Sequence, residues 1–215
     1  MLTLFGTLNS GNVHKVQMIF GRIGETYRRV DVAQTRNEPR DEKYLAMNPM
    51  GKVPAVLRED GRVLSESGAI LYYFAQSTPL WPKGVDEQTE VLRWMFFEQY
   101  SHEPSLAVMR YLRHFTDDPN PSSNRIAELE PKARHALMVL ESQLSDKEWL
   151  AADRCTIADY ALYPYTRTAD SVGFEIAEYP GIERWLARVE CQPGFIPLGT
   201  GAAVETLSFA EYFQP

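Results

Sequence analysis

Hydrophobic residues recur along the N-terminal part of the chain with the two periods that are typical of strands and helices. Leu2–Phe5 is a short apolar run that predicts a buried strand. Apolar positions three and four residues apart then predict a helix over 13–23, which Gly24 ends. The next segments predict a strand over 27–32 and a short helix over 40–47. Two antiparallel strands over 55–57 and 62–64 then flank a tight turn at Asp60-Gly61, and a helix opens near Ser65 or Ser67 and ends before Pro79.

This order of strands and helices is that of a thioredoxin-like domain, in which the first three elements form a right-handed crossover. The stretch 78–84 contains two prolines and a glycine and breaks both periods, which indicates a linker. Beyond it the strand signals disappear, and helical spacing continues over about 88–115, 126–144, 157–169 and 182–189. We therefore predict an α+β thioredoxin-like domain over 1–78, a linker over 79–86 and an all-α helical domain over 87–215.

Composition excludes several classes of partner. The 215 residues carry a net charge of -7, which disfavours nucleic acid and anionic membranes. The longest apolar run, 69–75, is too short to span a bilayer, and the N-terminus lacks the pattern of a secretory leader, so we expect a cytoplasmic protein. Two cysteines without a CxxC pair or zinc-site spacing predict a reducing compartment and no metal.

Four segments carry motifs that together resemble one protein family. They are Ser10-Gly11-Asn12-Val13-His14-Lys15-Val16, Asn48-Pro49-Met50-Gly51-Lys52-Val53-Pro54-Ala55, Ser65-Glu66-Ser67-Gly68-Ala69-Ile70 and Leu150-Ala151-Ala152-Asp153-Arg154-Cys155-Thr156-Ile157-Ala158-Asp159-Tyr160-Ala161. Their content and order resemble the glutathione transferase superfamily, particularly its bacterial members that use serine or asparagine at the thiol. In the last segment Thr156 and Asp159 have the spacing of a capping box, which implies a role in folding.

The resemblance implies that Ser10 or Asn12 contacts the glutathione sulfur, and we expect Ser10 to be the main contact. A hydroxyl or amide at a helix N-terminus donates a hydrogen bond to a thiolate, and the helix dipole adds a favourable field. Lowering a thiol pKa from about 8.5 by about two units requires about 2.7 kcal/mol. One charge-assisted hydrogen bond plus the dipole covers that range. The alternative from the residues alone is that Ser10 merely caps the helix.

The same resemblance assigns the rest of the glutathione site. It implies a cis Val53–Pro54 bond, which turns the Val53 backbone toward the extended tripeptide, and a Lys52 that binds the glycine carboxylate. It also implies that Glu66 pairs with the γ-glutamyl ammonium and that Ser67 binds the γ-glutamyl carboxylate at the helix start. The residues alone also allow a solvated lysine beside a trans proline, and an ordinary helix cap.

A second substrate is expected beside the long helix that follows the linker. Pro104 should interrupt that helix and bend it near Glu103. Five residues are candidates to line an apolar pocket for a hydrophobic electrophile: His102, Leu106, Met109, Arg110 and Tyr163. Core packing of these side chains is the competing interpretation.

The resemblance implies a glutathione S-transferase that acts in detoxification, with glutathione as co-substrate, no metal and a homodimeric assembly. Its partners are then glutathione and a small hydrophobic electrophile, with no nucleic acid and no membrane. Two alternatives stay open: a glutathione-dependent disulfide reductase or peroxidase that uses two glutathione molecules in turn, and a non-catalytic module with the same fold.

Overall fold

The computed structural model of the protein describes residues 1–32, 41–116 and 123–213. The chain forms two compact units. The first unit consists of Met1–Gln76 together with Pro193–Pro215, and the second of Ser77–Gln192. The segment predicted as a linker belongs to the second unit, where the Leu80 carbonyl accepts a hydrogen bond from the Ile157 N–H (3.1 Å).

The first unit is built on a five-stranded sheet of order β4-β3-β1-β2-β5. Strand β1 is parallel to β2 and antiparallel to β3, and β3 is antiparallel to β4. The strands are β1 (Leu2–Phe5), β2 (Tyr27–Asp31), β3 (Ala55–Leu57), β4 (Val63–Ser65) and β5 (Glu205–Ser208). Strand β1 is fully buried, as expected for a central strand, and this accounts for the apolar run at the start of the sequence.

Three helices join these strands in the predicted order, and they are α1 (Gly11–Ile23), α2 (Glu42–Met47) and α3 (Ser67–Ala75). Helix α1 ends at Gly24, whose positive φ of 71° lets its N–H bond back to the last turn. Its apolar stripe is buried, as the three- and four-residue spacing predicts. Arg40, where the short second helix was predicted to begin, lies outside the described residues.

The C-terminal segment corrects the predicted domain plan. Residues 193–215 were assigned to the helical domain, but the structure places them in the first unit. Strand β5 extends the sheet by pairing parallel with β2, and a short helix α9 (Phe209–Tyr212) follows it. The prediction missed β5 because its sequence, Glu-Thr-Leu-Ser, is mostly exposed and lacks an apolar run that would mark a strand.

The regular secondary structure of the second unit is all helical in the described residues, as predicted. Its α-helices are α4 (Val85–Phe97), α5 (Glu103–His114), α6 (Ser123–Asp146), α7 (Ile157–Arg167) and α8 (Pro180–Glu190). Between α4 and α5 the chain makes one π-helical turn, Glu98–His102, in which the Glu103 N–H bonds to the Glu98 carbonyl. Helix α5 begins at Glu103, directly after this π turn, so the regular α-helix is interrupted where Pro104 predicts it. Pro104 itself occupies the first turn of α5, where its missing N–H costs little.

The predicted capping box at the start of α7 is confirmed, because Thr156 and Asp159 make both of its hydrogen bonds. The same buried carboxylate also accepts hydrogen bonds from the Leu150 N–H (3.3 Å) and the Trp185 indole (2.8 Å). Asp159 therefore holds α7, α8 and the preceding loop together from a position with no solvent access. Burial raises the pKa of this carboxyl, against the opposing effect of its donors.

Candidate functional site

Ser10 is the N-cap of α1, and its hydroxyl oxygen already accepts one hydrogen bond. The Ser10 Oγ accepts a hydrogen bond from the Val13 N–H (3.3 Å). Capping uses a lone pair of the oxygen and leaves the O–H proton as a donor. The capping role and a thiolate contact are therefore compatible, so the simpler interpretation does not exclude the functional one. The side chain is 7% exposed, which places the hydroxyl in a sheltered position at the positive end of the helix dipole.

Asn12, in the first turn of α1, links the starts of two helices. Its Oδ1 lies 3.4 Å from the Ser67 Oγ, which donates a hydrogen bond to it. Since Ser67 is the first residue of α3, this contact joins the N-termini of α1 and α3. Two sets of backbone N–H groups are thereby held in one region of the first unit, which is suited to anionic groups.

Glu66, the N-cap of α3, has an unusual backbone conformation. Its φ of 65° and ψ of 115° make it the sole positive-φ residue other than glycine among those the structure describes. Its carboxylate makes no capping hydrogen bond and is exposed. A helix cap therefore does not explain Glu66, and residues held in sparsely populated backbone regions cluster at binding sites. Nothing in the sequence signals this feature, since backbone strain depends on the surrounding fold.

The loop before β3 has the geometry that the resemblance implies. The Val53–Pro54 peptide bond is cis, which confirms that expectation. Val53 is buried, whereas the Lys52 side chain extends into solvent. The Lys52 carbonyl accepts two hydrogen bonds, from the Tyr44 hydroxyl (2.7 Å) and the Asn48 side-chain amide (2.8 Å).

Sequence reasoning missed Tyr44 and Asn48 as parts of this site. Tyr44 lies within the predicted short helix 40–47 without a role, and Asn48 begins the quoted loop motif without a contact assigned to it. The sequence signal that could have found them is a tyrosine and an amide four residues apart, one helical turn, immediately before the Lys-Val-Pro motif.

Four of the five predicted electrophile-site residues lie in the core of the second unit. His102, Leu106, Met109 and Tyr163 are each no more than 2% exposed. The His102 Nε2 donates to the Thr166 Oγ1 (2.8 Å), because the threonine proton is already donated to the Leu162 carbonyl. This burial favours packing roles for the four, and their assignment to an electrophile pocket stays a prediction.

Tyr163 and Arg110 are held by specific contacts of their own. The Tyr163 hydroxyl donates to Glu190 (2.9 Å), and burial together with this carboxylate raises the Tyr163 pKa. Arg110 is half-buried, and its guanidinium lies 4.9 Å from the centre of the Phe115 ring. Burial lowers the pKa of Arg110, with Tyr165 opposing the shift. The raised pKa keeps the Tyr163 hydroxyl protonated near neutral pH.

The second unit also contains a cavity of about 510 Å³, which is lined by four carboxylates, one guanidinium and four apolar side chains. Its lining residues are Arg167, Asp170, Glu175, Ile176, Ala177, Glu183, Leu186, Ala187 and Glu190. None of the five predicted electrophile-site residues is among them. Carboxylates in this number do not suit a hydrophobic electrophile.

Within residues 1–32, 41–116 and 123–213, no group of three or more His, Cys, Asp and Glu side chains is arranged to hold a metal ion. Among the helices described there, none is long and apolar enough to cross a membrane. Both cysteines are free thiols, and Cys155 is buried whereas Cys191 is exposed.

Comparison with known proteins connects this geometry to a family. Residues 1–76 match the family model "Glutathione S-transferase, N-terminal domain", and residues 100–193 match "Glutathione S-transferase, C-terminal domain". The solved glutathione S-transferase of Pseudomonas fluorescens Pf-5 is 38% identical, with a TM-score of 0.88 over 92% of this chain and 98% of that one.

More distant relatives carry the same fold. The structure of Ure2p in complex with glutathione is 25% identical, with a TM-score of 0.81 over 92% of this chain and 97% of that one. The protein URE2 of Eremothecium gossypii is 25% identical over 90% of this chain and 66% of URE2, so the chain spans slightly less than two thirds of that relative's length. The two family models and the 38% identity over almost all of a solved transferase show that this chain belongs to the glutathione S-transferase superfamily.

Proposed function

We propose that the protein binds glutathione, stabilises its thiolate and transfers it to a hydrophobic electrophile. The observation that carries this proposal is the hydrogen bond between Asn12 and Ser67 (3.4 Å), which holds the N-termini of α1 and α3 together. One helix start then serves the sulfur and the other serves the γ-glutamyl group. The 25% identical Ure2p, solved in complex with glutathione, supports the same ligand here.

Ser10 would supply the main hydrogen bond to the sulfur. Its oxygen already accepts from the Val13 N–H (3.3 Å), so the hydroxyl proton is directed away from the helix backbone and can be donated to an anion. A charge-assisted hydrogen bond of about 1.5 to 3 kcal/mol, with about 0.3 to 1 kcal/mol from the helix dipole, lowers a thiol pKa by about two units. The thiolate then forms at neutral pH without a histidine base.

The remaining motifs would orient the tripeptide. Glu66 presents an exposed carboxylate for the γ-glutamyl ammonium, and the backbone N–H groups at the α3 N-terminus offer donors for the adjacent carboxylate. The Ser67 hydroxyl has one proton, which it donates to the Asn12 Oδ1, and it would join these donors by turning that proton to the ligand. The Val53 backbone pairs with the peptide of glutathione, and the exposed Lys52 attracts the glycine carboxylate. In this proposal each of these four residues binds one charged or hydrogen-bonding group of glutathione.

In the proposed reaction the thiol proton leaves to solvent and the thiolate attacks an electrophilic carbon. A carbon–sulfur bond forms as the leaving group departs with its electron pair, and a thioether results. Positioning the sulfur lowers the entropic cost of that encounter. Five side chains are proposed to shape the electrophile site without taking part in the chemistry. They are His102, Leu106, Met109, Arg110 and Tyr163.

A glutathione-dependent disulfide reductase is the second candidate, favoured by the position of Asn12. Its Oδ1 is engaged by Ser67, which orients the side-chain amide beside the start of α3. An asparagine-type thiol contact would suit successive thiolate attacks on a disulfide. One glutathione forms a mixed disulfide and releases a thiol, and a second then forms glutathione disulfide and releases the other thiol.

Absorbance titration of the bound thiolate tests the thiol assignment, with Ser10→Ala, Asn12→Ala and the control Ser65→Ala, which alters a serine of β4. We expect Ser10→Ala to raise the apparent pKa of bound glutathione toward about 8.5, and the control to leave it unchanged. A rise in Asn12→Ala alone would overturn the serine assignment.

The reaction class is tested by rates on an aryl halide and on a mixed disulfide with the parent protein. Faster turnover of the aryl halide supports conjugation, and turnover of the disulfide alone would replace conjugation by reduction. Glutathione binding without either activity would favour a non-catalytic binding module.

We also propose a cytoplasmic homodimer. An apolar face on α4 and the π turn supports the dimer, because Leu92, Phe96 and Tyr100 lie four residues apart and are 37%, 67% and 88% exposed. Such a face on a surface helix is typical of a protein interface.

A further inference from the structure

The C-terminal segment, residues 193–213, contacts two elements of the first unit, β2 and α1. The Val204 N–H donates to the Tyr27 carbonyl (3.0 Å) as β5 joins the sheet. The His14 Nε2 donates to the Ile196 carbonyl (2.6 Å). Gly194 approaches α1 so closely that a Cβ there would meet the Gly21 oxygen at 2.1 Å. These contacts make the segment an integral layer of the glutathione-binding unit.

The end of this segment contributes three aromatic rings to a cluster around Tyr44. The Phe209 ring centre lies 6.2 Å from that of Tyr44. Phe209 in turn packs against Phe213 at 4.5 Å, and Tyr212 meets Phe5 edge-on at 5.2 Å. Phe5 closes the cluster on the sheet side at 5.8 Å from Tyr44. The Tyr44 ring is fully buried, so these neighbours determine its position.

Helix α2, which carries Tyr44, is tied to the same segment a second time. The Lys43 Nζ donates to the Phe213 carbonyl (3.0 Å) and lies 5.6 Å from the Phe213 ring centre. With six residues, α2 is too short to be stable without tertiary contacts. The C-terminal rings therefore contribute to holding this short helix in place.

The Tyr44 hydroxyl determines the orientation of one peptide group in the glutathione loop. It donates to the Lys52 carbonyl (2.7 Å), as does the Asn48 amide (2.8 Å). The Lys52–Val53 peptide is planar and trans, so its N–H points opposite to its C=O. Two donors that hold the Lys52 carbonyl toward α2 thereby direct the Val53 N–H away from α2. That N–H belongs to the backbone proposed to pair with glutathione.

We propose that Tyr44 is a positioning residue for glutathione, which acts by orienting the Lys52–Val53 peptide, and that the aromatic C-terminal segment holds Tyr44 in place. This inference rests on the proposed function. In this proposal Tyr44 acts through the Lys52 carbonyl and not by contact with the ligand. The C-terminal segment thus becomes part of the substrate-binding apparatus, although it lies more than 130 residues beyond the loop in the chain.

Tyr44→Phe tests the first half of the inference, because it removes the hydroxyl and keeps the ring. The matched control is Tyr27→Phe, since Tyr27 is equally buried and its hydroxyl accepts from Gln17 (3.3 Å) rather than bonding to the loop. We expect calorimetry to show glutathione affinity about 3- to 10-fold weaker in Tyr44→Phe, which is the fold-change of one ordinary hydrogen bond. The control should keep the parent affinity.

Two readouts separate positioning from a general loss of structure. The KM for glutathione should rise in Tyr44→Phe while the KM for the electrophile stays unchanged. The Val53 amide signal in a nuclear magnetic resonance spectrum should shift and exchange faster with solvent in Tyr44→Phe alone. A Val53 amide that responds equally to both variants would overturn the inference.

Phe209→Ala tests the second half through a double-mutant cycle with Tyr44→Phe. If the ring acts through the Tyr44 hydroxyl, Phe209→Ala should weaken glutathione binding in the parent and have a smaller effect in the Tyr44→Phe background. Equal effects in both backgrounds would overturn the link between the C-terminal segment and Tyr44.

The parent protein distinguishes this inference from the proposed function. If the parent does not bind glutathione, the proposed function fails and the ligand role of Tyr44 fails with it. If the parent binds glutathione and Tyr44→Phe binds it equally well, the proposed function stands and the positioning inference fails.

Discussion

Replacing Glu66 by glycine and by alanine separates backbone strain from ligand contact at one residue. Both variants remove the carboxylate, but glycine alone tolerates the observed φ of 65°. Alanine keeps a Cβ and therefore keeps the strain. The matched control is Glu25, an exposed glutamate just after α1 that is not among the positive-φ residues of the described chain.

Two opposing terms determine how glycine at position 66 changes the stability relative to alanine: relief of backbone strain and loss of chain entropy. A backbone in this region costs about 1 to 3 kcal/mol, whereas glycine loses about 0.5 to 1 kcal/mol more entropy on folding. Glu66→Gly should therefore be more stable than Glu66→Ala by about 1 kcal/mol. Loss of a charged hydrogen bond of about 1.5 to 3 kcal/mol should weaken glutathione binding about 10- to 100-fold in both variants.

Urea unfolding measures the stability difference, and calorimetric titration with glutathione measures the affinity. At Glu25 the order should reverse, with glycine less stable than alanine. Equal stabilities of the two Glu66 variants would refute the argument from strain. Parent-like affinity in both would remove Glu66 from the glutathione site and leave the strained backbone without a functional explanation.

Three further predictions concern stability and assembly. Burial lowers the His14 pKa to about 4, whereas the imidazole of the unfolded chain has a pKa of about 6.5. Below about pH 6.5 the folded protein therefore binds fewer protons than the unfolded chain. The free energy of unfolding should fall by about 3 kcal/mol as the pH is lowered from about 6.5 to about 4. His14→Gln should flatten that slope in urea unfolding at several pH values, and an unchanged slope would exclude His14 as its source. Asp159→Ala leaves the buried Thr156 N–H and Trp185 indole without an acceptor and should cost at least about 3 kcal/mol in chemical unfolding, and a loss below about 1 kcal/mol would contradict this. Phe96→Glu should convert the proposed dimer to a monomer in light scattering, whereas Met138→Glu, at another exposed apolar residue, should not; a parent protein that is already monomeric at micromolar concentration would rule out the dimer.

The strongly periodic elements of this protein could be predicted because each carries its own local signal. Helix α1 has an apolar stripe, a serine cap and a terminal glycine, and each of these forms as expected. The capping box of α7 is equally local, since Thr156 and Asp159 are three residues apart. The existence of β5 could not be predicted, because pairing with β2 stabilises a polar segment that shows no strand pattern.

The candidate site also has features that the sequence predicts and features that it does not. The types and order of Ser10, Lys52, Glu66 and Ser67 are visible in the sequence and led to the glutathione transferase superfamily. Their relations are not visible there. The 3.4 Å contact between Asn12 and Ser67 joins residues 55 positions apart, and the positive φ of Glu66 occurs at the junction between β4 and α3.

The order of the main strands and helices, the caps and the motif residues could therefore be predicted from the sequence, because they depend on side chains a few positions apart. Three further features emerge only when the chain is folded: residues 193–213 complete the first unit, Tyr44 bonds to the Lys52 carbonyl, and His102 is buried against Thr166. Each of these depends on which surfaces pack together, and packing is a property of the whole fold.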